Sequence, residues 1–216
     1  MVDLPMPGSP PSKMAEPGTK PPPITRSNSF KPDKVLSGVS LSPDKPVKLI
    51  FGALFDSLPV WQNVSFAAMQ GSNMPADEAL ELAKESLALV GLGKNVLDLY
   101  PASLSGGMHK RVGLARAIAT RPPIIFFDEP TTGLDPIMTD VINHLIRDCV
   151  SELGATTMTI THDMSSVRTI GDKAALLYQG KIIWTGNVDA LEQSDDPFLV
   201  QFINGLADGP IEIAGA

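Results

Sequence analysis

The chain has 216 residues, 43% hydrophobic and 19% charged, which is enough apolar material for a sizeable core and excludes wholesale disorder. A formal charge of −7 at pH 7 excludes general nucleic-acid binding, which depends on neutralising phosphates with Lys and Arg. The single cysteine, Cys149, excludes an internal disulfide and fits a reducing compartment. No apolar run reaches the ~18 residues of a membrane span, and no signal-peptide stretch stands at the N-terminus, so the expectation is a soluble, cytosolic chain.

The first segment differs from the rest. Eleven of the 20 prolines fall at or before Pro46, and the six Lys/Arg there outnumber four Asp/Glu, leaving the remainder at −9. Stretches such as Pro21-Pro22-Pro23 and Ser27-Asn28-Ser29 have no apolar period and cannot offset chain entropy by burial. Residues 1–34 are expected to form a flexible arm. From about Val47 the pattern turns to alternating strand and helix. Met74 to Glu78 opens a helix with Leu80, Ala83, Leu87 and Val90 at helical spacing. Pro123 to Phe127 is a short apolar run suited to a strand buried on both faces. Asp135 followed by Pro136 reads as an N-cap and first helical residue, with the helix running to about Leu153 and stopping at Gly154. Thr156 to Thr161 reads as a strand; Ala174–Tyr178 and Lys181–Thr185 read as a hairpin turned by Gln179-Gly180. Strands separated by helices predict an α/β domain with a mostly parallel sheet.

Three local signals stand in order within 60 residues. Leu104-Ser105-Gly106-Gly107-Met108 precedes a helical run; glycines let backbone approach a ligand, and free amides at a helix start favour phosphate. Ile124 to Phe127 ends in Asp128 and Glu129, an arrangement in which one carboxylate holds Mg²⁺ and the next polarises a water. Thr161-His162-Asp163 comes after the next strand, and parallel strands deliver their C-terminal ends to one edge, near Asp128 and Glu129. His109, Lys110 and Arg111 after the glycines read either as phosphate contacts or as a solvated helix face.

Together these residues resemble the ATP-binding subunit of ABC transporters. Leu104–Met108 resembles the signature motif, Asp128 and Glu129 the Walker B aspartate and catalytic glutamate, Thr131–Asp135 the D-loop, and His162 the switch histidine. Gly52 to Val60, the methionine closing the signature, and the tail from Asp196-Pro197-Phe198 to Gly209-Pro210-Ile211 resemble the Mla-type (toluene-tolerance) phospholipid-transport ATPases. The resemblance implies an ABC-type domain over 35–213 with a helical subdomain at about 58–101, ATP and Mg²⁺ as cofactors, Glu129 and His162 as catalytic groups, Asp128 as metal ligand, and Ser105, Gly106, Gly107 and Asp135 as nucleotide-binding residues. It further implies a second ATPase subunit as dimer partner, an inner-membrane permease, a periplasmic lipid-binding component acting indirectly, and a cytoplasmic location peripheral to the inner membrane.

One part of the family pattern is missing. The glycine-rich phosphate loop requires Gly-x4-Gly-Lys-Ser/Thr, and the chain contains no such run. Gly91-Leu92-Gly93-Lys94-Asn95 fails at spacing and hydroxyl, and it stands after a helix rather than a strand. Val35 to Ser42 resembles the family's first strand segment, and Gly52–Phe55 resembles the residues just after its Q-loop glutamine. Fewer than ten residues separate the two, with Ile50-Phe51 where the glutamine is expected. Such a junction implies an incomplete nucleotide site, negligible hydrolysis by the chain alone, and uncovered apolar faces. Two alternatives to a catalytic subunit arise: a non-catalytic partner supplying only the signature motif, and a non-functional gene remnant.

Overall fold

The computed structural model describes residues 47–50, as backbone, and 54–212. The expected arm at 1–34 and the segment resembling the family's first strand lie outside the described residues. The chain divides into two units, Met1–Ser40 and Leu41–Ala216, and the described residues belong to the second.

Three parallel strands form its sheet: β1 (Val47–Ile50), β2 (Ile124–Asp128) and β3 (Thr156–Ile160), in the order β1-β2-β3. Register places Val47 beside Ile124 on one side of β2 and Ile124 beside Thr156 on the other. A second, two-stranded antiparallel sheet joins β4 (Lys173–Tyr178) to β5 (Lys181–Asn187). Its turn residues Gln179 and Gly180 have φ of +47° and +74°; two left-handed residues match the twist of the flanking strands, which is why the sequence places glycine there.

The helices form where their sequence signals stand. α1 (Val60–Ser72) and α2 (Ala76–Leu89) pack together and, with short 3₁₀ turns at Lys94–Val96 and Pro101–Ser103, follow the first strand and precede the helix that leads into β2. Ala79, Ala83 and Leu87 are the buried stripe of α2, while Leu80 is half-buried and Val90 caps the helix rather than extending it. α3 (Gly106–Ile118) is capped by Ser105. α4 (Pro136–Leu153) begins at Asp135, whose carboxylate accepts hydrogen bonds from the amides of Ile137 and Met138, and stops at Gly154 with φ +60°. α5 (Met164–Ile170) and α6 (Pro197–Asn204) start the same way, at Asp163 and Asp196. No described helix is long and apolar enough to cross a membrane.

The main core joins the sheet to α1–α4 through Val60, Val64, Leu87, Val112, Ile118, Ile125, Phe127, Ile142 and Ile146. Burial of such side chains contributes roughly 1.5–3 kcal/mol each. The two faces of the sheet differ. Ile125 and Phe127 are 0% and 5% exposed on one face. On the other, Phe126 is half-buried, and the neighbouring Met158 and Ile160 of β3 are 47% and 57% exposed. The expectation of burial on both faces therefore holds fully on the Ile125–Phe127 face and, on the other, for Ile124 but only in part for Phe126. The helices packed into the core cover the Ile125–Phe127 side, and nothing among the described residues covers the Met158–Ile160 side equally.

Candidate functional site at the ends of β2 and β3

The C-terminal ends of β2 and β3 carry Asp128 and Glu129, and His162. A parallel register pairs Asp128 with Ile160, and the Glu129 amide donates to the Ile160 carbonyl at 2.9 Å. Residues far apart in sequence thus meet because adjacent parallel strands end together. His162 Nδ1 lies 2.8 Å from Glu129 Oε1, and Thr132 Oγ1 donates to Glu129 Oε2 at 2.7 Å. The carboxylate has a partner on each oxygen.

Burial alone would raise the Glu129 pKa, but the hydrogen bonds from His162 and Thr132 outweigh it and hold the carboxyl below its usual range. The hydrogen bond to Glu129 and its negative charge raise His162 in turn. Opposite charge favours the charged form of both groups, so the pair is an imidazolium facing a carboxylate over the pH range between their two values.

The backbone at Glu129 is in the left-handed region, φ +46°, an uncommon conformation for a non-glycine residue that surrounding contacts must sustain. Lys110 Nζ, from α3, donates to the Glu129 carbonyl at 3.1 Å. Of the two readings left open for Lys110, neither anticipates this: it ties the helix after the glycines to the carboxylate turn. One further polar chain locks the two loops. Thr131 Oγ1 and Ser166 Oγ are 3.1 Å apart and buried, and Ser166 Oγ donates to Asp163 Oδ2 at 2.6 Å. Asp163 is held below the usual carboxylate range: burial raises it, and the bonds from the Ser166 hydroxyl and the Ser165 and Ser166 amides more than offset that.

Ser105, Gly106 and Gly107 form the start of α3. The Ser105 hydroxyl accepts from the Met108 amide at 3.3 Å, which leaves its own proton free to donate. A Cβ on Gly107 would meet the tip of Met138 at 2.5 Å, and one on Gly106 would sit 3.7 Å from Leu134. The glycine turn therefore lies against the segment that Asp135 caps. Asp135 spends its Oδ1 on two helix amides, so its described role is to cap α4.

Two structural residues escape a reading of the sequence. Asn63, fully buried on α1, accepts from the Phe55 amide at 2.7 Å and donates to the carbonyls of Phe55 and Leu58 at 3.1 and 2.9 Å. Arg116 of α3 sits 4.4 Å from the Phe55 ring centroid. Both bind the segment beginning at Leu54 to the helices around it.

The chemistry present is partial. An ATP·Mg²⁺ site needs amides and a lysine around the phosphates together with a metal ligand set. Asp128 is exposed, no group of three or more His, Cys, Asp or Glu that could hold a metal exists among the described residues, and the sequence has no phosphate loop. These residues do not fit a complete nucleotide site. The groups that are present are the carboxylate–imidazole pair and, elsewhere, the amide-rich start of α3.

Comparison with known proteins shows what the chain is similar to. The family model described as ABC transporter matches residues 32–132. MlaF of Escherichia coli K12, an intermembrane phospholipid transport system ATP-binding protein, is 40% identical over 169 residues, which are 77% of this chain and 62% of that protein. The chloroplastic protein TRIGALACTOSYLDIACYLGLYCEROL 3 of Arabidopsis thaliana is 39% identical, over 83% of this chain and 55% of its own length. A probable ribonucleotide transport ATP-binding protein, mkl of Mycobacterium bovis, is 39% identical over 74% of this chain and 44% of its own. The chain spans about half the length of the curated relatives it matches. Among solved structures, the dimeric ATP-binding cassette MJ0796 bound to ADP and Pi superposes with a TM-score of 0.60 at 29% identity, covering 67% of this chain and 63% of that one. Residues 32–132 thus match the ABC transporter family model, and the described fold is like part of an ATP-binding cassette, with phospholipid-transport ATP-binding proteins among the relatives it resembles.

Proposed function

We propose that the chain is an ATP-binding-cassette subunit of a lipid-transport system that presents Ser105, Gly106 and Gly107 to ATP held by a second subunit and does not hydrolyse ATP alone. The observation that carries this reading is the coexistence of an ordered glycine turn at the head of α3 with the lack of Gly-x4-Gly-Lys-Ser/Thr anywhere in the sequence. Free amides at a helix N-terminus, a hydroxyl that can still donate and the positive end of the dipole suit a phosphate brought by a partner. Asp128, Glu129 and His162, with no phosphate loop in the same chain, take no catalytic step in this reading.

Lipid as the transported substrate rests on likeness to MlaF, and mkl, named for ribonucleotide transport, marks the competing substrate class. A membrane permease would be the second partner, contacted through the helical subdomain at about 58–101, with a periplasmic lipid-binding component acting beyond it. The chain would then lie on the inner face of the inner membrane.

The test is complementation. An intact relative whose own signature serine is replaced by arginine should hydrolyse ATP poorly, and adding this chain should restore turnover. Ser105→Arg in this chain should remove the rescue while leaving its helical signal unchanged. Failure of the unmodified chain to restore turnover, although it is folded and in excess, contradicts the proposal.

A further inference from the structure

Lys110 ties the head of α3 to the end of β2. Its Nζ donates to the Glu129 carbonyl at 3.1 Å, across 19 residues of chain. The acceptor is itself a fixed point. Glu129 lies one residue past β2 in left-handed backbone, so its carbonyl is spent on the turn rather than on the sheet ladder. That carbonyl also accepts from the Thr132 amide at 3.3 Å, and the Glu129 amide donates to the Ile160 carbonyl at 2.9 Å. A carbonyl oxygen has two lone pairs, and Lys110 and Thr132 use both. The Glu129 carboxylate is held in turn by His162 and Thr132.

Lys110 stands four residues after Gly106 on α3, hence on the same face and about 6 Å along the axis. That face runs along the segment after β2: a Cβ on Gly106 would stand 3.7 Å from Leu134, and one on Gly107 2.5 Å from the Met138 tip. Apolar packing of this kind is non-directional. A charge-assisted hydrogen bond fixes direction as well as distance. Arg111, the next residue, reaches elsewhere, its Nη1 3.3 Å from where a Cβ on Gly91 would stand.

We propose that Lys110 is a positioning residue for the glycine turn: anchored on the Glu129 carbonyl, it sets where Ser105, Gly106 and Gly107 stand for a phosphate carried by a second subunit. This rests on the function proposed above and adds to it the residue that orients the turn. It also gives Glu129 and His162 a use in a chain without a phosphate loop, since their pairing steadies the residue on which Lys110 rests. Lys110 is then committed to the main chain and is not itself a phosphate contact.

The experiment is nuclear magnetic resonance on the full chain, with complementation as its second arm. In the unmodified chain the Lys110 ammonium should exchange with water slowly enough to be observed, as a held donor does and a solvated one does not. Lys110→Met keeps the aliphatic stem and removes the donor. It should shift the Gly106 and Gly107 amide signals and speed exchange of the Met108 and His109 amides, which bond to Ser105, by roughly tenfold. The Gly180 signal of the hairpin should stay in place, and Lys110→Arg should restore the signals of the first turn. In the complementation assay, Lys110→Met should lower the rescued turnover by roughly tenfold and Lys110→Arg should recover it. Unchanged Gly106 and Gly107 signals in Lys110→Met overturn the proposal, as does an ammonium that exchanges like a solvated one. Exchange accelerated equally at the hairpin would mark a general loss of stability and overturn it too, and so would full rescue by Lys110→Met. No rescue by the unmodified chain, with the anchor intact in its spectra, overturns the phosphate role of the turn and with it the function proposed above.

Discussion

His162 Nδ1 and Glu129 Oε1 stand 2.8 Å apart although 33 residues separate them in the chain. Their partnership shifts both titrations, Glu129 downward and His162 upward. The stabilising effect of His162 is complete below its unfolded pKa, near 6.5, and is lost as pH rises through its higher folded value. That of Glu129 is complete above its unfolded value and is lost as pH falls through its lower folded one. Thermal denaturation should therefore show Tm declining as pH rises from about 6 to 9, with part of the decline absent in His162→Ala. An identical decline in that variant contradicts the pairing. The effect is small, because the His162 side chain is 71% exposed.

Asp135 carries two roles in the reading of the sequence, helix cap and nucleotide contact, and the structure displays the first. Asp135→Ala should lower stability by about 1 kcal/mol through loss of the cap. Denaturant unfolding of the two proteins measures it, and an unchanged midpoint would show that the two hydrogen bonds to Ile137 and Met138 contribute nothing.

Asn143 lies fully buried in α4, and neither its Nδ2 nor its Oδ1 has a hydrogen-bond partner among the described residues. A buried unsatisfied amide costs about 1–3 kcal/mol. Asn143→Leu keeps the branching and the number of side-chain heavy atoms and removes the unsatisfied amide, though its methyl groups are bulkier, so the unfolding midpoint should rise by up to a corresponding amount. A loss of stability would reveal a polar partner for the amide.

Cys149 is buried in the core, and burial, with the nearby Glu152 and Asp148 charges, pushes its thiol up to about 11. The thiolate is the reactive form, so a thiol reagent at neutral pH should label Cys149 slowly in the folded chain and rapidly in denaturant. Equal rates would show that this part of α4 opens readily.

Much of this arrangement is legible in the sequence because its causes are local. Asp135-Pro136 and Gly154 delimit α4 by capping and left-handed geometry, and Gln179-Gly180 turns the hairpin for the same reason. The meeting of Glu129 with His162 is legible from topology, since parallel strands share an edge. The features that escape are non-local. Lys110 reaches the Glu129 carbonyl 19 residues away, and no spacing rule announces a lysine that props a left-handed residue. Asn63 reads as an ordinary polar residue of α1, yet it is buried because the loop from Phe55 to Pro59 folds back over it. The exposed face at Met158 and Ile160 agrees with the loss expected from the short junction, whereas burial of β2 on both faces holds only in part, since Ile124 is buried but Phe126 on the same face is only partly covered.

The measurement that bears most directly on the central claim is ATP turnover by the purified chain alone, compared with its Glu129→Gln variant. The account predicts the same negligible rate for both, because no phosphate loop positions the nucleotide beside Glu129 and His162. Turnover by the unmodified chain at an ordinary enzymatic rate, on the order of 1 per second or more, and abolished by Glu129→Gln, would contradict it.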